Sequence, residues 1–210
     1  LIKLNSARGV NTTYSAESND TTHLAVADAL GNIVCATHTI HAAFGSKATV
    51  PGTGMLLNNT MNIFDPHPGT ANSIAPGKRV TSSMSPIIVE KDGKPAFCVG
   101  LVGGIKIFPS ALQAIVNIID HGMTPQEAVE APRVWTLGED LEMEPGFSEA
   151  TIEGLKTLGH PITPLFIIGA GMGMIAFNNG ELTGASCWRA DGTPIAIAGG
   201  MARQGLRFTV

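Results

Sequence analysis

From Thr22 onward the chain alternates, with His23, Ala25 and Ala27 on one side and Leu24, Val26 and Asp28 on the other. A period of two is the pattern of a strand. Ala29-Leu30-Gly31-Asn32 interrupts it and residues 33–41 run extended again, so 22–41 reads as a hairpin. A second hairpin is predicted from Ile87-Ile88-Val89, the turn Lys91-Asp92-Gly93-Lys94 and the apolar run 96–102. A third folds 174–177 onto 182–185 about Asn179-Gly180, the dipeptide that best accommodates a tight hairpin turn.

Between the second and third hairpins the period lengthens. Pro109 suits a first helical turn, Leu112, Ile115, Ile118 and Ile119 fall at helical spacing, and Gly122 suits a C-terminal cap. A helix is therefore expected over 106–120, with Leu112, Ile115 and Ile119 facing a sheet. Thr124-Pro125-Gln126-Glu127 is a capping box with proline at its first helical position, opening a short helix that Pro132 ends. A third helix is expected over 148–158, closed by Gly159. Strands, then helices, then strands imply an α+β layered domain rather than a parallel sheet of βαβ units.

The rest is less regular. Residues 1–20 are polar and read as a loop or tail. A glycine-rich loop over 45–54 precedes the short apolar segment Met55-Leu56-Leu57, and a proline-rich loop spans 65–78. Gly169-Ala170-Gly171-Met172-Gly173 invites a dinucleotide reading, but a pyrophosphate site needs a helix directly after the glycines and here a hairpin is expected, so the run reads as a flexible loop. His38 and His41 are three apart on an extended run, so they point to opposite faces and form no metal-chelating pair. Neither a metal nor a cofactor is expected. Asn11, Asn19 and Asn58 open glycosylation-type triplets that have no support without evidence of secretion.

Composition narrows the class. Hydrophobic residues make up 44% of the 210 and charged residues only 14%, so the chain should hide much surface in a layered core or against another subunit. A net charge of −4 argues against a nucleic-acid footprint, and no apolar run approaches the roughly 20 residues of a membrane span. Cys35, Cys98 and Cys187 are widely spaced, which excludes a disulfide scaffold or a zinc ribbon, and Cys35 and Cys98 fit as small buried hydrophobes. The first residue is Leu1, not Met, so a longer protein is expected. The cytoplasm is the expected compartment, with the periplasm or secretion left open because a signal would precede Leu1.

One stretch carries chemistry. In Glu17-Ser18-Asn19-Asp20-Thr21-Thr22-His23 a polar segment abuts the first strand. The plain reading is a strand start. The chemical reading is that cleavage of the Asp20–Thr21 bond frees Thr21 as an N-terminal nucleophile, whose own amine is the adjacent base a weak hydroxyl needs.

Further blocks set this one in context. Thr21-Thr22-His23, Thr37-His38-Thr39-Ile40-His41, Leu56-Leu57-Asn58-Asn59-Thr60-Met61, Lys78-Arg79-Val80-Thr81-Ser82-Ser83-Met84-Ser85-Pro86 and Gly100-Leu101-Val102-Gly103-Gly104 occur in this order. Their order and spacing resemble the small subunit of the gamma-glutamyltransferases, from Glu17 to Gly184-Ala185-Ser186. The resemblance implies a self-cleaving precursor and a four-layer αββα sandwich of the N-terminal-nucleophile hydrolase type. This chain would supply the small-subunit half, with 1–20 as the tail of the large subunit and 21–210 as the catalytic subunit. The implied partner is that large subunit, in a heterodimer or a dimer of heterodimers.

Residue by residue, the resemblance assigns the nucleophile to Thr21 and the hydroxyl that hydrogen-bonds it to Thr39. It matches Ser82 and Ser83 to the pair that holds the substrate carboxylate, and Gly103 and Gly104 to the oxyanion backbone. Adjacent glycines let N–H groups approach a tetrahedral oxyanion unobstructed. Glutamyl-specific members have Asn where His41 stands, Gln where Thr60 stands and Asp where Ile63 stands. The Gln and Asp grip the α-ammonium, whereas Ile63 has nothing to offset a positive charge. The 65–76 loop is also shorter than a tyrosine-bearing lid and contains no tyrosine.

The expectation is therefore an amidohydrolase acting on a small carboxylate amide without an α-amine, with oxamate amidohydrolase and glutaryl-type cephalosporin acylases on that side of the family and an oxamate-like monoamide preferred. A gamma-glutamyl hydrolase or transpeptidase and a catalytically inactive member stand as alternatives.

Overall fold

The computed structural model describes residues 20–197. The tail expected over 1–20 lies outside the described residues except for Asp20, as do the glycosylation-type triplets at Asn11 and Asn19.

The first hairpin pairs β1 (Thr21–Ala27) with β2 (Ile33–Thr39) in antiparallel register, with Thr21 opposite Thr39 and Ala25 opposite Cys35. A four-stranded sheet is built from β3 (Ile87–Lys91), β4 (Lys94–Leu101), β8 (Met172–Asn178) and β9 (Glu181–Ser186), all neighbours antiparallel. Its two hairpin turns hold positive φ at both central residues, Asp92-Gly93 and Asn179-Gly180, the geometry whose twist matches that of paired strands.

Alternation along β4 divides the layers. Phe97, Val99 and Leu101, with Met172 and Met174 of β8, form the buried core beneath α1 (Ile107–Ile119) and α2 (Pro125–Glu130). Cys98 and Gly100 turn the other way, toward β1 and β2. Helices, four-stranded sheet and two-stranded sheet thus stack as three layers. On the far side of the two-stranded sheet Leu24, Val26 and Val34 are 46%, 58% and 59% exposed.

The helix boundaries agree with the expected ones to within a residue or so. Thr124 and Glu127 close the capping box reciprocally, and Ser148 caps α3 (Glu149–Thr157). The face of α1 is a correction. Ile107, Ser110, Ala111 and Ala114 are buried and Ile115 and Ile118 pack at the core edge, whereas Leu112 and Ile119 are 58% and 60% exposed. Helical spacing alone allows two apolar stripes here, and the one with small residues permits the closer approach to the sheet. Met55, Leu56 and Leu57 are likewise exposed, with Leu56 bridging only Thr49.

The expected strand order omits a third sheet of β5 (Val134–Trp135), β6 (Leu141–Met143) and β7 (Ile162–Pro164). Here β6 and β7 are parallel and joined through α3, a small βαβ unit beside the two antiparallel sheets. No described helix is long and apolar enough to cross a membrane.

Candidate active site

Thr21 and Thr39 are directly opposed on β1 and β2, and their hydroxyl oxygens lie 3.0 Å apart. Thr39 Oγ also donates to the Asp20 carbonyl at 3.2 Å and accepts from the His41 N–H at 2.9 Å. A second donor, the Ile40 N–H, reaches the Asp20 carbonyl at 3.4 Å. The Asp20–Thr21 bond is thus flanked by a hydroxyl on the nucleophile side and two donors on the carbonyl side. His41 sits just past β2 with φ 75°, a left-handed conformation that turns the chain away from the sheet.

That turn leads to the next candidate segment. The Asn59 N–H donates to the Ile40 carbonyl at 3.2 Å and the Ala42 N–H donates to Asn59 Oδ1 at 3.1 Å. Asn59 therefore clamps the start of the short 3-10 helix Thr60–Ile63 beside the end of β2. The Thr60 N–H is held by Asn58 Oδ1 at 3.0 Å. At the other end of this helix Asn72 Nδ2 donates to the Ile63 carbonyl at 2.8 Å, while Asn72 Oδ1 accepts from Thr81 N–H and Oγ at 3.1 and 2.8 Å.

Thr81 leads directly into the serine pair. Ser82 Oγ accepts from the Met84 N–H at 3.1 Å, and Ser83 Oγ donates to the Gly104 carbonyl at 2.7 Å. Hydrogen bonds and short chain segments thus connect every candidate named from the sequence, running from Thr21 through Thr39, His41 and Thr60 to Ser82, Ser83 and Gly104. Asn59 and Asn72, which the sequence reading did not single out as functional, are the links. An Asn between an apolar run and a turn is a common loop residue, and only the fold shows what it ties.

Gly103 and Gly104 follow β4 with φ 127° and 59°. A Cβ on Gly103 would lie 2.7 Å from Gly169 Cα and 2.8 Å from Ala170 N, so its backbone presses on the 169–170 segment. A Cβ on Gly104 meets nothing within 4 Å, and glycine is favoured there by conformation alone. The 169–170 segment is the glycine run expected to be a flexible loop. It leads straight into β8, and buried charges fix it. Arg133 donates to the Ile168 and Ala170 carbonyls at 3.1 Å each. Glu144 accepts from the Ile168 N–H at 2.6 Å, the Arg133 N–H at 2.8 Å and Arg189 Nε at 2.7 Å, and also pairs with Arg189 Nη2. Burial, and then the charge of Arg189, pulls the Arg133 guanidinium down to about 10. This network joins residues 45 apart in sequence and escaped the sequence reading.

Among the described residues no group of three or more His, Cys, Asp or Glu side chains is placed to hold a metal ion.

A layered α+β half-sandwich with a threonine pair at the head of its first strand has the architecture of an N-terminal-nucleophile hydrolase. The gamma-glutamyltranspeptidase family profile matches residues 2–197, and the chain belongs to that family. It is 60% identical over 195 residues to the acylase ACY 1 proenzyme of Pseudomonas sp. (strain SE83), covering 92% of this chain and 35% of that protein. It is 40% identical to the glutathione hydrolase proenzyme of Escherichia coli (strain K12), covering 81% and 31% respectively. Among solved structures, the cephalosporin acylase of Bacillus halodurans superposes with a TM-score of 0.77 at 32% identity, over 85% of this chain and 34% of that one. The gamma-glutamyltranspeptidase of Pseudomonas nitroreducens in complex with L-DON gives 0.74 at 32% identity, over 84% of this chain and all of that one. The chain thus spans about a third of the length of the curated relatives it matches.

Proposed function

We propose that the chain is the catalytic part of a self-cleaving amide hydrolase in which Thr21 is the nucleophile of both maturation and turnover. The observation that carries this is the Thr39 hydroxyl, bonded at once to the Thr21 hydroxyl and to the Asp20 carbonyl. In maturation Thr21 Oγ adds to the Asp20 carbonyl carbon and the C–N bond breaks. An ester forms and the Thr21 amine is released; water then hydrolyses the ester, leaving an Asp20 carboxylate and a free N-terminal Thr21. In turnover that amine takes the hydroxyl proton as Oγ attacks the substrate amide and passes it to the leaving amine. Water then removes the acyl group. Backbone donors at Gly103 and Gly104 would meet the oxyanion, and Ser82 and Ser83 the substrate carboxylate. The remainder of the precursor would form the partner subunit.

For the substrate we favour an acyl group that carries a carboxylate and no α-amine. Two features support this: Ile63 and Thr60 occupy the segment clamped beside the threonine pair, and relatives at 60% and 59% identity are acylases by name. Those names, with the likeness to a cephalosporin acylase, favour an N-acyl amide over the oxamate-like monoamide expected from sequence. A gamma-glutamyl hydrolase or transpeptidase remains the second reading, favoured by 40% identity to a glutathione hydrolase.

The experiment uses the mature protein with its partner subunit and compares kcat/KM for an N-glutaryl and an N-γ-glutamyl anilide. An unpaired ammonium in a closed site costs on the order of 3–5 kcal/mol, so the glutaryl compound should lead by at least about 100-fold. Ile63→Asp should narrow that gap. A wild-type preference for the γ-glutamyl compound hands the site to the second reading. A Thr21→Ala precursor that cleaves normally sinks the mechanism itself.

A further inference from the structure

The inner face of β1 carries a second polar side chain two residues beyond Thr21. His23 Nδ1 lies 2.9 Å from Thr37 Oγ, its cross-strand neighbour, and Nε2 lies 3.7 Å from Cys35 Sγ. The ring points across the layer into the four-stranded sheet, where Gly100 of β4 is paired directly with Gly173 of β8. A Cβ on Gly100 would fall 2.1 Å from His23 Cε1 and 2.6 Å from both ring nitrogens, and one on Gly173 would lie 3.9 Å from Cδ2. Neither glycine has a positive φ, so conformation does not demand glycine at either position. Space does. Two residues along the same face the pair is Cys98 and Ile175, so the paired glycines leave a local notch that the imidazole fills.

We propose that His23 is a positioning residue whose ring, seated in the Gly100–Gly173 notch, sets the height of Thr21 over the Gly103–Gly104 turn. At about 3.3 Å per strand residue, Thr21 stands roughly 7 Å from this seat along β1, and Gly103 begins the turn two residues past Leu101, the end of β4 and the neighbour of Gly100. Nucleophile and oxyanion backbone are both measured from one contact, and Thr37 fixes the rotation of the ring within it. Burial holds the imidazole below its ordinary pKa, which suits a neutral ring between two sheets. The proposal rests on the reading of Thr21 as nucleophile. A merely space-filling histidine would share the burial but would leave catalysis unchanged once the protein had folded.

The test is a size exchange in the precursor expressed whole. Gly100→Ala, His23→Ala and the double variant are followed by intact mass for self-cleavage and, after cleavage, by kcat and KM on the preferred anilide. A displacement near 1 Å at a reacting group costs on the order of 100-fold in rate, so Gly100→Ala should lower kcat by at least about tenfold with KM within about twofold. His23→Ala empties the notch and should lower kcat by a similar factor, again with KM within about twofold. In the double variant the clash is gone and the protein should fold and cleave, but kcat should stay at least about tenfold below wild type because no ring sets the height of Thr21. Wild-type kcat in Gly100→Ala, in His23→Ala or in the double variant overturns the proposal. Thr21→Ala is run alongside: normal cleavage there defeats the parent reading, whereas failure of the exchange alone defeats only the seat.

Discussion

Thr39→Val removes one hydroxyl and almost nothing else. Valine keeps the shape and the β-branch of threonine, and β2 is a strand position that favours both. The hydroxyl makes three hydrogen bonds, to Thr21 Oγ at 3.0 Å, the Asp20 carbonyl at 3.2 Å and the His41 N–H at 2.9 Å. Each is worth about 0.5–1.5 kcal/mol net to the fold, a loss that a domain of this size tolerates. The kinetic loss should be larger. As Thr21 Oγ adds to Asp20, negative charge develops on a carbonyl that keeps only the Ile40 N–H at 3.4 Å once Thr39 is gone. Removing one such donor typically slows reaction on the order of 10²–10³-fold. The assay is a time course of precursor cleavage by intact mass, fitted to a single rate constant, with urea unfolding of the uncut protein as the control for stability. Thr39→Ser restores the hydroxyl without the methyl and should cleave within about tenfold of wild type, a loss of at most about 1.4 kcal/mol in the barrier. If Thr39→Val cleaves within about threefold of wild type, the hydroxyl does not polarise the Asp20 carbonyl and the reasoning fails.

The other expectations follow from single contacts. Gly103→Ala puts a methyl 2.7 Å from Gly169 Cα, so kcat should fall on the order of 100-fold or more, whereas Gly104→Ala has open space and should lose less; equal losses would show that strain rather than the Gly169 contact governs this turn. Glu144→Gln leaves Arg189 and Arg133 without a counter-charge in the interior and should cost about 3–5 kcal/mol in urea unfolding, and a loss under about 1 kcal/mol would place the pair in effective contact with water. Burial lowers the His23 pKa from 6.5, so the unfolded chain binds the proton first as pH falls. The stability linked to the neutral ring is whole above pH 6.5 and is lost toward the lower folded pKa. His23→Gln should therefore show a flatter stability profile below pH 6.5 than wild type, and identical slopes would mean the ring takes up its proton in place.

Local patterning made the hairpins and caps legible. Period-two alternation located β1 and β2, the Asn179-Gly180 and Asp92-Gly93 turns fixed the hairpins, and Thr124 with Glu127 opened α2 where the capping box predicts. These features depend on residues at most a few positions apart. The face of α1 was not legible, because Leu112 and Ile119 are as apolar as Ile115 and only the partner surface shows which stripe packs. The strands β5, β6 and β7 escaped for a related reason: two or three residues are too few to establish a period. At the candidate site, motif order pointed to Thr21, Thr39, Ser83 and Gly104; the fold bonds Thr21 to Thr39 and Ser83 to Gly104, and short chain segments tied by Asn59 and Asn72 run between the two pairs. Motif order could not identify Asn59, Asn72 or the His23 notch, which depend on registers between strands far apart in sequence. One signal for His23 was present: alternation puts it on the same face as Thr21, so a polar ring there had to meet something in the opposing sheet.

Proton bookkeeping on Thr39 links the two halves of the proposed cycle. Its hydroxyl has one hydrogen and two acceptors within reach, the Asp20 carbonyl and Thr21 Oγ. While the chain is uncut the hydrogen serves the carbonyl, so the Thr21 hydroxyl donates to Thr39 and its remaining lone pairs are free to turn toward the carbon it attacks. The His41 N–H fills a lone pair of Thr39 Oγ and restricts how the hydroxyl can rotate. In the proposed maturation, cleavage turns that carbonyl into a carboxylate that moves away with Asp20, and Thr39 loses it as an acceptor. The Thr39 hydrogen is released to Thr21 Oγ, and the hydroxyl of Thr21 can point at the amine that cleavage has created. The first reaction would thereby reverse the direction of the threonine–threonine hydrogen bond, turning a self-cleaving bond into a base-assisted nucleophile while Thr21 and Thr39 keep their register across β1 and β2.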